Sequence, residues 1–152
     1  MRIDQELFRT GVPLIDRQHE AYLALVERVF ALCALAHVDR AQLAAEVGHA
    51  LTYAVEHFAT EEQLMLAVKY PLYRQHLAKH DQFRAQVDRF AAELTLDTLL
   101  DNYTARLAKW LVDWFAAQVQ TDDLRLAAFL RKHPADWTAT ALPTPRAAQE
   151  SP

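Results

Sequence analysis

The sequence predicts an all-α fold: an up-down-up-down antiparallel four-helix bundle with an N-terminal extended arm and a short flexible C-terminal tail. Only 2 glycines interrupt a chain of 152 residues rich in Ala and Leu, a composition that favours helix. Strand-like alternation of β-branched residues is missing. Long stretches of helical apolar spacing are joined by short turn segments, so each helix packs against its chain neighbour. The bundle is expected over residues 1–133 and the tail over residues 134–152.

Residues 1–15 read as an extended arm ending in the turn Gly11-Val12-Pro13. Asp16 is the expected N-cap of a first helix reaching about Ala36, with Leu23, Val26 and Phe30 on one stripe. Asp39 caps a second helix, from about Arg40 to Val68. Pro71 opens a third, where its missing N–H costs nothing, and that helix runs to about Leu94. Asp97 or Thr98 opens a fourth, extending to at least Gln118 and, past an irregularity, to Arg131. After His133-Pro134 the composition turns to Ala, Thr and Pro, with least to bury from about Ala139 onward.

The hydrophobic share of 52% and the charged share of 24% describe one globular domain with a real core. A net charge of −4 and a pI near 5.9 argue against nucleic acid or an anionic membrane as partner. Cys33 is the single cysteine, so no disulfide within the chain is expected, and it reads as a small buried apolar residue. The opening Met1-Arg2-Ile3-Asp4-Gln5-Glu6 has no apolar signal core, and no run is long enough to span a bilayer. A cytoplasmic location is expected, and no protein partner is indicated.

The chemistry lies in His19, His57, Glu61, His76, His80 and Asp123, spaced so that four antiparallel helices can bring them to one interior point. His57/Glu61 and His76/His80 are i,i+4 pairs, so each projects two ligands from one helix face. The surrounding stretches are apolar, and burying so many ionisable groups without a partner is prohibitively costly. A metal centre accounts for them. Four histidines and two carboxylates exceed one tetrahedral zinc site. Two octahedral-leaning ions sharing Glu61 and Asp123 fit better, which favours iron. Glu62 is the alternative buried carboxylate on the second helix, and the i+4 step from His57 favours Glu61.

The fourth helix offers Gln118, Asp122 and Asp123. An i,i+5 step turns about 500°, leaving Gln118 and Asp123 about 140° apart on a regular helix. Both face the centre only if the helix distorts, for example in a π-like bulge. Asp122 shares a face with Gln118 without distortion.

The motifs resemble those of the hemerythrins, specifically the bacteriohemerythrins. Gly11-Val12-Pro13-Leu14-Ile15-Asp16-Arg17-Gln18-His19 is similar to the family's opening motif, and His57-Phe58-Ala59-Thr60-Glu61-Glu62 to its second-helix motif. Lys69-Tyr70-Pro71 followed by His76 and His80, and Trp110-Leu111-Val112-Asp113-Trp114 through Asp123, resemble the third and fourth. The resemblance covers roughly residues 3–131. It implies two iron ions, oxo- or hydroxo-bridged, that bind O2 reversibly. By the same resemblance His19 and His57 hold one iron, His76 and His80 the other, and Glu61 and Asp123 bridge, with O2 at the open position of the His19/His57 iron.

The sequence departs from the family at one place. The family's fifth histidine falls here on Gln118. Its amide is a weak ligand, a hydrogen-bond donor to a bound oxygen species, or a position left to water. An exchangeable site on the second iron is what brings in redox turnover with O2, peroxide or NO as the alternative to clean O2 carriage. Trp114, Phe115 and Val119 flank the altered position and are expected to wall the oxygen pocket, although such residues serve as core in any bundle. His37, His49 and His133 read as ordinary helix-end or surface residues. The expected function is therefore an O2 carrier, store or sensor, with a di-iron oxidoreductase as the alternative and a metal-poor interaction bundle as the second alternative.

Overall fold

A computed structural model describes residues 4–96 and 102–138. Helices α1 (Pro13–Cys33), α2 (Arg40–Ala67), α3 (Tyr73–Glu93) and α4 (Tyr103–Gln118) are followed by a π-helical turn, Val119–Asp123. The shorter helices α5 (Leu124–Lys132) and α6 (Pro134–Trp137) come next. Helix α1 packs on α2 and α4, and α3 packs on α2 and α4, which closes the expected all-α bundle.

Helix starts and stops follow local chemistry, with some departures from expectation. Pro13, not a residue after Asp16, begins α1, because Pro at the first turn forfeits no helical hydrogen bond. Asp16 instead lies in the first turn and fastens the preceding loop. It accepts from the Thr10 N–H (2.7 Å), the Thr10 hydroxyl (2.6 Å) and the Gly11 N–H (3.1 Å). Asp39 does cap α2, in a capping box completed by Gln42. Lys69, at φ 53°, turns the chain out of α2. The turn then tightens through Tyr73 N–H to Tyr70 C=O, so α3 begins at Tyr73 and not at Pro71. Asn102, at φ 60°, precedes α4 in the left-handed region that Asn tolerates. Asp97 and Thr98, the expected openers, lie outside the described residues.

The ends of the chain also differ from the sequence expectation. Gln5–Phe8 form a 3-10 turn within the arm, and the Phe8 ring packs 5.0 Å from Phe115. Residues 134–137 are helical: Trp137 donates to the Leu130 carbonyl at 2.8 Å and packs on buried apolar residues. The expected tail from Ala139 onward lies outside the described residues. Cys33 is exposed, not buried, because α1 ends on it at the rim of the bundle.

Two apolar cores flank the middle of the bundle. The larger includes Tyr22, Val26, Phe58, Phe83, Leu111 and Phe115. The smaller includes Ile15, Leu64, Met65, Leu126 and Leu130. His19 falls in sequence between Ile15 and Tyr22, Glu61 between Phe58 and Leu64, and Asp123 between Phe115 and Leu126. Each helix thus alternates from one core, through a polar layer, to the other. Among the described residues no helix is long and apolar enough to cross a membrane.

Candidate metal centre

The six predicted groups meet in that polar layer. His19, His57, Glu61, His76, His80 and Asp123 are at most 2% exposed. Ligand-type atoms of His19, His57, Glu61 and Asp123 lie within 4.8 Å of one another, as do those of Glu61, His76 and His80. Glu61 is common to both groups. Its Oε2 lies 3.5 Å from His57 Nε2, 3.0 Å from His76 Nε2 and 3.1 Å from His80 Nε2. Asp123 divides its two oxygens between the groups: Oδ2 is 3.1 Å from His19 Nε2, and Oδ1 is 3.2 Å from His76 Nε2.

Asp123, and not Asp122, faces this centre because Val119–Asp123 form a π-helical turn. A π turn closes i,i+5 bonds, so residues five apart align. Gln118 and Asp123 consequently face each other, and the Gln118 amide donates to Asp123 Oδ1 at 3.1 Å. The same amide nitrogen lies 3.0 Å from His76 Nε2.

Partners behind the rings fix which nitrogen points inward. His19 Nδ1–H donates to the Phe8 carbonyl (3.3 Å), His57 Nδ1–H to Gln18 Oε1 (2.9 Å) and His80 Nδ1–H to Glu62 Oε1 (3.2 Å). Gln18 is itself held by donating to Thr60 Oγ1 at 2.9 Å, and Glu62 by accepting from Arg84 at 2.8 Å. Such outer hydrogen bonds leave Nε2 facing the carboxylates, the atom a metal ion would take. His76 has no such partner among the described residues: its Nδ1 is buried and unbonded. Rings complete the packing, with Phe58 stacked 3.8 Å from His80 and Tyr53 stacked 4.8 Å from His57.

The electrostatics record how tightly charge is crowded here. Burial pulls His57 down to about 4, although Glu61 opposes this. Burial also acts on His76, but Glu61 and Asp123 outweigh it and raise that ring to about 10. His19 is raised because its bond to Asp123 overcomes burial. Burial would raise both carboxyls, yet the histidines hold Glu61 well below its ordinary range and Asp123 at about 2. Burial pushes the Tyr53 phenol well above its usual range, and Asp123 and Glu61 are near enough to add to that.

The donor set fits a pair of metal ions. His57 Nε2 and Glu61 Oε1 are buried and unbonded among the described residues, although both side chains belong to the cluster. His76 Nε2 faces two carboxylate oxygens, at 3.0 and 3.2 Å, a pair that one N–H satisfies poorly and a cation would satisfy. Imidazole nitrogens with shared carboxylates suit first-row divalent ions, iron among them.

Sequence reasoning missed the supporting residues. Gln18, Glu62, Arg84 and the Phe8 carbonyl act through hydrogen bonds between elements, which helical spacing does not reveal. Of the expected pocket residues, Phe115 is buried with its ring 5.2 Å from His19, and Val119 is buried. Trp114 is only partly buried and backs Phe83 (4.4 Å) and Phe58 (5.7 Å). His49 belongs to the surface, paired with Glu46 at 3.1 Å, and His133 bonds the Phe129 carbonyl.

A helical bundle with a buried histidine and carboxylate cluster defines a class of metal-binding bundle proteins, and sequence comparison refines it. Residues 10–130 match the hemerythrin HHE cation-binding domain. The chain is 24% identical over 130 residues to a bacteriohemerythrin of Stenotrophomonas maltophilia, covering 85% of this chain and 81% of that protein. It is 25% identical over 120 residues to bacteriohemerythrins of Pseudomonas aeruginosa and Pseudomonas paraeruginosa, covering 78% of this chain and 74% of each. No solved structure gives a significant match. The chain belongs to the hemerythrin family, a family of di-iron proteins that bind O2 at the iron site.

Proposed function

We propose that the chain is a non-haem di-iron protein that takes up O2 at a carboxylate-bridged centre, with Gln118 where the family has a fifth histidine. His19 and His57 would hold one ion and His76 and His80 the other, with Glu61 and Asp123 shared between them. The observation that carries this reading is Asp123, whose two oxygens address the histidines of the two groups separately. When bound, an iron pair supplies the two electrons that a single ion cannot deliver to O2. The chain's own residues do the rest. Gln18 and the Phe8 carbonyl orient His57 and His19, and the Phe115 and Tyr22 rings, stacked 4.6 Å apart, exclude water from the His19 side.

A second reading, a di-iron oxidoreductase reacting with O2, peroxide or NO, is favoured by Gln118. A neutral amide is a poorer donor than imidazole, so an ion held by His76 and His80 would be short of one strong ligand. The amide's hydrogen bond to Asp123 supports a role in steering the bridging carboxylate. Stopped-flow mixing of the reduced, iron-loaded protein with O2 separates the two. A visible band that forms with O2 and vanishes under vacuum marks carriage, and fast irreversible oxidation marks turnover. Fewer than roughly one metal ion per chain after iron-replete expression rejects both and supports a metal-poor interaction bundle.

A further inference from the structure

Five ring side chains, His19 and His57 among them, form a closed circuit. Consecutive ring centroids lie 5.0 Å apart for His19–His57, 4.8 Å for His57–Tyr53 and 4.5 Å for Tyr53–Tyr22. Tyr22–Phe115 at 4.6 Å and Phe115–His19 at 5.2 Å close it. The circuit's other polar atoms are engaged or aimed at the carboxylates. The two Nδ1 groups bond outward, both Nε2 atoms face the acidic pair, and the Tyr22 hydroxyl donates to the Leu111 carbonyl at 2.9 Å. Tyr53 differs. Its hydroxyl is buried, bonds to no group among the described residues and lies within electrostatic reach of Glu61 and Asp123. An unmade hydrogen bond at a buried hydroxyl carries a desolvation cost that no neighbour here offsets.

Tyr53 precedes His57 by one helical turn, so both side chains leave α2 on the same face. The near-parallel stack, at 19°, keeps the phenol alongside the imidazole that the proposed function assigns to one iron. A phenol is protonated at neutral pH and is a directional donor. The other rings packed on it are those of Tyr22, Phe58 and Phe83, with centroids 4.5, 5.8 and 6.2 Å away. A lone donor in such a setting discriminates among ligands, because a hydrogen bond to a charged acceptor is worth roughly twice a neutral one.

We propose that Tyr53 is a ligand-recognition residue of this centre: its hydroxyl donates a hydrogen bond to a small anionic ligand held at the His19/His57 metal position. This rests on the di-iron reading. It makes the site selective for ligands that carry negative charge on an accepting atom, a class that includes small pseudohalide anions and the reduced forms of O2, over diatomics that accept weakly.

Sodium azide is the probe. The full-length, iron-loaded, oxidised protein and its Tyr53→Phe variant are titrated with azide by absorbance, and iron content is measured in both. Phenylalanine keeps the stack on His57, and loss of an unpartnered hydroxyl leaves the melting temperature of the metal-free protein unchanged or raised. Tyr53→Phe is expected to bind azide about tenfold or more weakly at equal iron content. The azide stretch of the parent is expected to shift between H2O and D2O, and that shift is lost in the variant. Unchanged azide affinity in the variant, or a solvent-isotope shift that persists, overturns the proposal. So does a variant that loses iron, since the hydroxyl would then serve metal holding. A parent protein that takes up iron but no azide defeats the Tyr53 assignment alone, whereas one that takes up no iron defeats the di-iron reading with it.

Discussion

The two halves of the candidate centre are built to different standards. On the His19/His57 side both rings are fastened from behind, by the Phe8 carbonyl and by Gln18, and Gln18 is anchored in turn by Thr60. On the His76/His80 side only His80 is fastened, through Glu62 and Arg84, while the outer nitrogen of His76 bonds to nothing among the described residues. Gln118 then approaches His76 from the inner side. One half has both rings fastened from behind, and the other has a ring, His76, held through its inner nitrogen alone, beside the Gln118 amide. Under the proposed function, the two ions should therefore differ in affinity and in exchange.

The largest expected effect removes what both halves share. Asp123→Ala deletes the carboxylate whose oxygens reach His19 and His76. Iron content should fall below roughly one ion per chain by elemental analysis, because neither half retains its full charge complement. Retention of two ions would show that Asp123 does not bridge. Gln18→Ala tests the well-built half alone. Loss of the His57 acceptor should weaken one ion by about 10- to 100-fold in chelator competition and leave the other in place.

Gln118→His sharpens the comparison from the other side. An imidazole there should tighten the weaker ion by about tenfold or more, narrow the gap between the two, and slow irreversible oxidation by O2. Unchanged metal content, spectrum and reactivity would remove Gln118 from the account.

The smallest effect is a pH dependence of the metal-free protein. Folded His57 sits at about 4, below its ordinary 6.5, so between those values the unfolded chain binds the extra proton. Its contribution to stability is present above 6.5 and is lost as pH falls toward 4. The low values of Asp123 and Glu61 act in the same direction at still lower pH. His76 behaves oppositely. Raised to about 10, its contribution is complete below 6.5 and is lost as pH climbs toward 10. Melting temperature without metal should peak near neutral pH and decline on both sides. Iron should flatten the alkaline decline by replacing the His76 proton, and loading at pH 8 should release protons. An alkaline slope identical with and without iron would contradict this.

The same contrast explains what the sequence could reveal. The i,i+4 pairs His57/Glu61 and His76/His80 announce a shared face by spacing alone, and Gln118 with Asp123 demanded a helical distortion that the π turn supplies. Those signals are local, so one chain carries them. Gln18, Glu62 and Arg84 gain their roles from neighbours on other helices, and no period encodes that. Asp16 looked like a helix cap because its type favours one, yet Pro13 had already started the helix and left Asp16 to tie down Thr10. Trp137, assigned to the tail by the composition around it, is recruited by the Leu130 carbonyl and the smaller core.

The most direct measurement is iron-edge anomalous diffraction from crystals of protein produced with ample iron. The account predicts two anomalous peaks between Glu61 and Asp123, the one beside His19 and His57 at higher occupancy than the one beside His76, His80 and Gln118. A single peak, equal peaks with Gln118 turned away, or no iron between those carboxylates would contradict it.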